Sequence, residues 1–554
     1  MRSKANKIVL AKTIFFGLFV VFSSLTFSFA TNKTLRNKSV NGQQLFIGEN
    51  IAVAQTTYGK VRGFVLRDIY NIRGIPYGAN TAGENRFMPP QKPKPWTDIR
   101  PAVFFGNSAP QTIYDRSAES YSAFVDHWNY DEISEDCLRL NIWTPALADG
   151  KKRPVLVWLH GGGFSRGNGI EQDGYDGENI SRYGDIVFCS INHRLGSLGF
   201  TDLSSVGGSK YKDSGNVGML DIIEALKWVN QNISNFGGDP DNVTIMGQSG
   251  GGSKVSVLAS MPAAKGLISK GIALSGSSIR ANDKESSQKL GAYVLKEAGL
   301  DASQLDSLQR MSWSDYLSVS ERAEATFRKD SQGTKTQRVG FSPVGDGNNI
   351  PESEFYAANE QSLPDIPMIL SSTFHEWNPD RDDPSLENIT LPEVTQKLRN
   401  VYGENTEKIV NAYAKQCPDG RPIEIWAMIV SNRKGIISTA KAKLHQKSPV
   451  YMAWFGWQSP LFDGRHRAFH CLDISFWFLN TDLMLTHTGG GDKPKALSKK
   501  MADALIHFMY TGNPNCKSLP KWPEYTEEKG EVMILKDACT VKDDPDKAAR
   551  ILIP

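Results

Sequence analysis

A serine set between glycines closes a short apolar run: Val243-Thr-Ile-Met246 leads into Gly247-Gln-Ser249-Gly-Gly251. Residues of these types at this spacing suit nucleophilic chemistry. The flanking glycines let the backbone reverse sharply from strand to helix, so that one hydroxyl stands clear of the main chain. Ser249 is therefore the candidate nucleophile. A serine hydroxyl is weak by itself and needs an imidazole to take its proton, a carboxylate to hold that imidazole, and amide donors where an oxyanion forms. His160-Gly161-Gly162-Gly163-Phe164 offers such donors, because successive glycines leave neighbouring N–H groups unobstructed. Gly162, Gly163 and Gly250 are the candidate oxyanion-hole residues.

Both motifs directly follow predicted strands. Pro154-Val-Leu-Val-Trp-Leu159 precedes the glycine loop, Ile186-Val-Phe-Cys-Ser-Ile191 is a further strand, and Asp221-Ile-Ile-Glu-Ala-Leu-Lys-Trp-Val229 has helical period. Short apolar strands alternating with helices predict an α/β fold with a central, mostly parallel, twisted sheet flanked by helices. In such sheets chemistry collects at the carboxyl ends of the strands, where both motifs fall. Two stretches, about 285–335 and 391–447, turn helical and charged and are expected to be insertions forming a gorge wall or lid. Gly489-Gly-Gly491 lacks the residues of a phosphate loop and is expected to be a surface loop without a helix start behind it.

The N-terminus carries Arg2, Lys4, Lys7 and Lys12, then an apolar run from Ile14 to Leu25, then Ser28-Phe29-Ala30. Basic flank, short apolar stretch and small-x-small site read as a secretory signal peptide over 1–30, shorter than a membrane span needs. Residues 31–50 read as a disordered polar tether, and 51–554 as one catalytic domain. The expected localisation is exported, periplasmic or extracellular, with no stable membrane insertion after signal cleavage. Without residues 1–30 the chain holds 59 Lys+Arg against 60 Asp+Glu. Near-neutral charge with no basic block argues against a nucleic-acid partner. The six cysteines, Cys137, Cys189, Cys417, Cys471, Cys516 and Cys539, show no metal-ligand spacing, and the sequence leaves open whether Cys516 and Cys539 pair.

The chain resembles the type-B carboxylesterases of the α/β-hydrolase fold. The resemblance is carried by Gly59-Lys-Val-Arg-Gly63, Gly74-Ile-Pro-Tyr77, Ser134-Glu-Asp-Cys-Leu-Arg-Leu-Asn-Ile-Trp-Thr-Pro145, Asn192-His-Arg-Leu-Gly196, Gly215-Asn-Val-Gly218, Thr511-Gly-Asn-Pro-Asn515 and Leu519-Pro-Lys-Trp-Pro523. It covers nearly all of residues 50–540. It implies a serine, acid, histidine order. Ile366-Pro-Met-Ile-Leu-Ser-Ser-Thr-Phe-His-Glu376 matches the family's acid segment, and Arg467-Ala-Phe-His470-Cys-Leu-Asp its histidine loop, which assigns Glu376 and His470. His466 is the rival base; Asp346 and Asp473 are the rival acids, read more simply as a turn residue and a helix cap. His160 and His375 are expected to be structural.

The implied reaction is carboxylic ester hydrolysis through an acyl-serine, on a small-molecule ester, with no cofactor or metal. Gln248 stands where the family commonly has glutamate, which argues against cationic choline esters although Trp128 lies near their choline-binding tryptophan. Gln248, Phe164 and Trp128 are the candidate substrate-binding residues. Ala109 replaces a cysteine that often pairs with the one matching Cys137, as in bacterial members. Gly250 replaces a frequent alanine, with little expected effect on its amide donor, and His193 a usual tyrosine. Two alternatives remain: a lipase preferring longer chains, and a non-catalytic adhesion or binding protein on the same fold.

Overall fold

The computed structural model describes residues 42–113, 122–125, 128–129, 131–331, 340–356 and 362–554. The signal-peptide reading and residues 31–41 lie outside the described residues. A twelve-stranded sheet organises the chain. Its strands, with a separate three-stranded sheet formed by β2 (Val53–Thr56), β3 (Gly59–Arg62) and β6 (Arg100–Pro101), are β1 (Leu45–Phe46), β4 (Phe64–Leu66), β5 (Ile69–Pro76), β7 (Arg139–Thr144), β8 (Arg153–Leu159), β9 (Val187–Ile191), β10 (Gly238–Gln248), β11 (Lys270–Leu274), β12 (Met368–Thr373), β13 (Val450–Phe455), β14 (Glu531–Leu535) and β15 (Thr540–Asp543). The spatial order is β1-β4-β5-β7-β9-β8-β10-β11-β12-β13-β14-β15. From β9 through β14 every neighbouring pair is parallel, while β1, β4, β5, β7 and β15 pair antiparallel at the two edges.

The parallel strands are mainly apolar in their middles because helices cover both faces, with polar residues at their ends such as Ser371-Ser-Thr373 of β12 and Asp239 of β10. β8, β9, β11, β12 and β13 are buried at every residue. The helix Val217–Asn232 contributes Met219, Ile222, Ile223, Leu226 and Val229 to the core on one face. On the other, Asp492–Thr511 contributes Leu497, Met501, Leu505 and Phe508. Asp221, on the first of these helices, takes Arg194 Nε at 2.8 Å, Nη2 at 2.7 Å and the Arg194 amide at 3.0 Å, so the buried cation is fully matched.

Two sequence expectations change, and one open question is answered. The tether over 31–50 ends earlier, since Leu45–Phe46 pairs with Val65–Leu66 and Phe46 buries itself with Ala52 and Val65. A helix does start behind the glycine run: Gly491 precedes Asp492–Thr511, and Asp492 already places a carboxylate at its positive end. Cys516 and Cys539 are free thiols, near Ser518 Oγ at 3.2 Å and Lys536 O at 3.3 Å. The stretch expected over 285–335 contains the helices Lys284–Glu297, Leu305–Arg310 and Trp313–Asp330. That over 391–447 contains Leu391–Tyr402, Thr406–Gln416, Pro422–Ile429 and Arg433–Lys443. No helix among the described residues is long and apolar enough to cross a membrane.

Candidate active site

Ser249 sits between the end of β10 and the helix Gly250–Leu258, with φ 57° and ψ −122°. That left-handed turn is costly for a residue with a Cβ and persists only where its surroundings hold it. Its amide donates to Leu274 O on the neighbouring β11 at 2.7 Å. Behind it the chain passes so close that a Cβ on Gly251 would lie 2.0 Å from Leu159 O, the last residue of β8. The helix can start at this point only because position 251 has no side chain.

The glycine loop leaves β8 beside the serine. Gly162 and Gly163 have φ 75° and 63°, and among the described residues their amides donate to no protein acceptor. A Cβ on Gly250 would lie 2.1 Å from Gly163 O, so the three candidate donors are packed together. A methyl at position 250 would therefore displace the glycine loop from its present place.

Glu376 follows β12 and His470 follows β13, strands that are neighbours in register. The Glu376 carboxylate has a fully buried side chain; Oε1 accepts from the Thr373 amide at 2.8 Å and Oε2 meets His470 Nδ1 at 2.6 Å. Main-chain bonds tie the two loops together, from His470 N to Glu376 O at 3.2 Å and from His375 N to Ala468 O at 3.1 Å. The imidazole is 12% exposed, and Trp377, itself half exposed, covers it with ring centroids 4.4 Å apart. Gln248 Nε2 also reaches the ring, 3.2 Å from His470 Nε2 and 3.4 Å from Nδ1, while its Oε1 accepts from Cys471 Sγ at 3.3 Å.

Ser249, His470, Gly162 and Gly163 open into one cavity of about 510 Å³, together with Trp128, Gln248 and Trp377. The volume suits a small organic ligand. Of the residues expected to touch substrate, Trp128 and Gln248 line this cavity and Phe164 does not: its ring packs edge-on against Phe200 at 5.5 Å. Sequence reasoning missed Glu171, Tyr175, Arg381, Trp377 and Cys471, of which only the last two were marked by anything local, being next to Glu376 and His470. The described residues of the 391–447 stretch do not reach the cavity, whereas Leu317, Ser320 and Glu321 of the Trp313–Asp330 helix line a neighbouring one of about 340 Å³ that shares Thr112, Ser165 and Arg166 with it.

The rival residues lie elsewhere or are oriented otherwise. His466 is buried against Phe462 and Phe469, and burial pushes its imidazole down to about 4. His375 is buried and pushed down to about 3 for the same reason. Asp346 staples a turn, accepting from the amides of Asn348, Asn349 and Ile350 at 2.9, 2.7 and 3.0 Å. Asp473 occupies the N-cap of Ile474–Trp477 but makes no capping bond; the carboxyl is fully buried. Desolvation, then the Glu376 charge, pushes it up to about 7, opposed by His470.

A carboxyl held above its unfolded value binds its proton more tightly in the native state, so its contribution to stability falls as pH rises from about 4 to about 7. Asp473→Asn removes that cost. Thermal unfolding at pH 4.5 and 7.5 is expected to show the variant gaining on the wild type at the higher pH, and an equal difference at both pH values would contradict the assignment.

Residues 50–550 match the model of the carboxylesterase family. Para-nitrobenzyl esterase of Bacillus subtilis is 33% identical over 511 residues, covering 90% of this chain and 97% of that one. Phenmedipham hydrolase of Pseudarthrobacter oxydans is 30% identical, covering 88% and 95%. Among solved structures, an esterase from Clostridium hathewayi that can hydrolyse aliphatic aromatic polyesters superposes with a TM-score of 0.78 at 32% identity, covering 92% of this chain and 99% of that one. The sheet is that of the α/β-hydrolase fold expected from the sequence, and the chain belongs to the carboxylesterase family, as a carboxylic ester hydrolase.

Proposed function

We propose that the chain hydrolyses its ester through an acyl-serine intermediate on Ser249, with His470 as general base and acid, Glu376 as its anchor, and the amides of Gly162, Gly163 and Gly250 as the oxyanion hole. The observation that carries this reading is the 2.6 Å contact between the buried Glu376 carboxylate and His470 Nδ1, in the same cavity wall as a serine held on a strained turn. Ser249 Oγ attacks the ester carbonyl while His470 Nε2 takes its proton. The C–O bond to the alcohol then breaks, and His470 returns the proton to the departing alkoxide. Water, deprotonated by the same nitrogen, cleaves the acyl-serine to acid and free enzyme. Glu376 stays ionised and stabilises the imidazolium. For the first step the Gln248 amide must yield His470 Nε2 to the serine.

Trp128, Tyr175 and Trp377 give the cavity aromatic walls, which supports small neutral esters with an aryl or alkyl group as substrates. Residues 1–30, by their basic flank, apolar run and Ser28-Phe29-Ala30, support export with cleavage before Thr31. Intact mass of the protein recovered from the exported fraction should start at Thr31; a mass that retains residues 1–30 would contradict this.

Hydrolysis of p-nitrophenyl esters from acetate to palmitate tests the mechanism and separates esterase from lipase by its chain-length optimum. Ser249→Ala should lower kcat by ~10⁴-fold or more. Glu376→Gln should lower it by roughly 10²- to 10⁴-fold with folding intact. Wild-type turnover in the Ser249 variant would refute the acyl-serine, and wild-type turnover in the Glu376 variant would move the anchor to another residue.

A further inference from the structure

Five residues beyond the serine, the helix Gly250–Leu258 carries a lysine that the proposed mechanism does not use. Lys254 is completely buried, and its Nζ donates to the main-chain oxygen of His160 at 2.9 Å. His160 is the residue between the end of β8 and the Gly161-Gly162-Gly163 loop. The orientation of the peptide it begins fixes where the following amides point. Phe164, at the far end of the loop, has its ring centroid 5.8 Å from the same Nζ, so the lysine lies under the loop at both ends.

The surroundings are costly for a cation. Desolvation pushes the Lys254 ammonium down to about 7, and Glu171 acts against this. His160 and His193 stack nearby with centroids 5.1 Å apart; burial first, then Lys254, holds both well below the usual imidazole range, so they remain neutral beneath the lysine. A methionine or leucine would fill this space without the desolvation cost. The polar end of the side chain is spent on one main-chain carbonyl, at the hinge of the loop that lines the cavity with the serine.

Resting on the acyl-serine reading, we infer that Lys254 is a positioning residue for ester hydrolysis: its bond to the His160 carbonyl holds the glycine loop so that the Gly162 and Gly163 amides meet the oxyanion. The interaction matters most when the carbonyl oxygen becomes charged, so its loss falls on turnover and on transition-state binding rather than on substrate binding.

The test compares wild type, Lys254→Met, Lys254→Gln and Ser249→Ala. The readouts are kcat and KM on p-nitrophenyl butyrate and the Ki of an aliphatic trifluoromethyl ketone, which forms a tetrahedral oxyanion adduct with a reactive serine. Lys254→Met should lower kcat by roughly 10- to 100-fold, leave KM within about threefold, and raise the Ki by the same factor as kcat falls. Glutamine keeps a donor but is one bond shorter, so Lys254→Gln should fall between Met and wild type. A folded Met variant with unchanged kcat and Ki overturns the inference, as does a rise in KM alone. Should Met fail to fold, wild-type kcat and Ki in the Gln variant overturn it, and a joint loss supports it. Ser249→Ala separates the two levels: if it stays active the acyl-serine reading fails, whereas if it is inactive while Lys254 variants match wild type only the lysine's role fails.

Discussion

A buried carboxylate must be satisfied, and the site is arranged around satisfying Glu376. With its side chain fully buried, its two oxygens are divided between the Thr373 amide on β12 and His470 on the loop after β13. Removing either partner would leave charge without compensation in a medium that penalises it by several kcal/mol. The loops after β12 and β13 therefore behave as one unit, tied also by their main-chain bonds and by Arg467, whose guanidinium meets Asp380 at 2.9 Å in an equally buried place. The parallel register of β12 and β13 brings the acid and the imidazole to the same edge of the sheet, and the carboxylate fixes the ring.

The serine lies between two regions of opposite character. On the imidazole side are the carboxyl groups of Glu376 and Asp473, with the raised Asp473 staying largely protonated below about 7. On the loop side is Lys254 above two imidazoles that burial keeps neutral. In the proposed acyl transfer an imidazolium and an oxyanion form together, and the Glu376 carboxylate at the ring and the Lys254 donor beneath the glycine loop would favour them without reorganisation. Close backbone packing keeps these regions in place: Gly250 abuts Gly163, and Gly251 abuts Leu159.

How much of this is legible in the sequence depends on the distance over which each residue acts. Ser249 and the glycine loop announce themselves, because a sharp turn needs its glycines within two positions. The parallel sheet is legible for a related reason, since strands covered on both faces carry short continuous apolar runs such as Val155–Leu159 and Val187–Cys189. Glu376 and His470 stand 94 residues apart on separate loops, and only the resemblance to a family singles them out. Glu171, Tyr175 and Arg381 enter the cavity through tertiary placement alone. Asp473 shows the opposite failure: it has the type and position of a helix cap, but its carboxyl is buried without capping the helix. Phe164 follows the donor loop in sequence, yet its ring packs onto Phe200 and does not line the cavity that Ser249 opens into. Lys254 reads as an ordinary helical lysine until the fold buries it beneath the loop.

The proposed mechanism needs one hydroxyl made reactive by one imidazole. The most direct measurement is to expose the protein to diethyl p-nitrophenyl phosphate, a phosphotriester that phosphorylates an activated serine, and to locate the adduct by peptide mass mapping. The account predicts one diethylphosphoryl group per chain, on the peptide bearing Ser249, with labelling slowed by orders of magnitude in Glu376→Gln. A stable label on any other residue, or equal labelling rates in the wild type and the Glu376 variant, would contradict it.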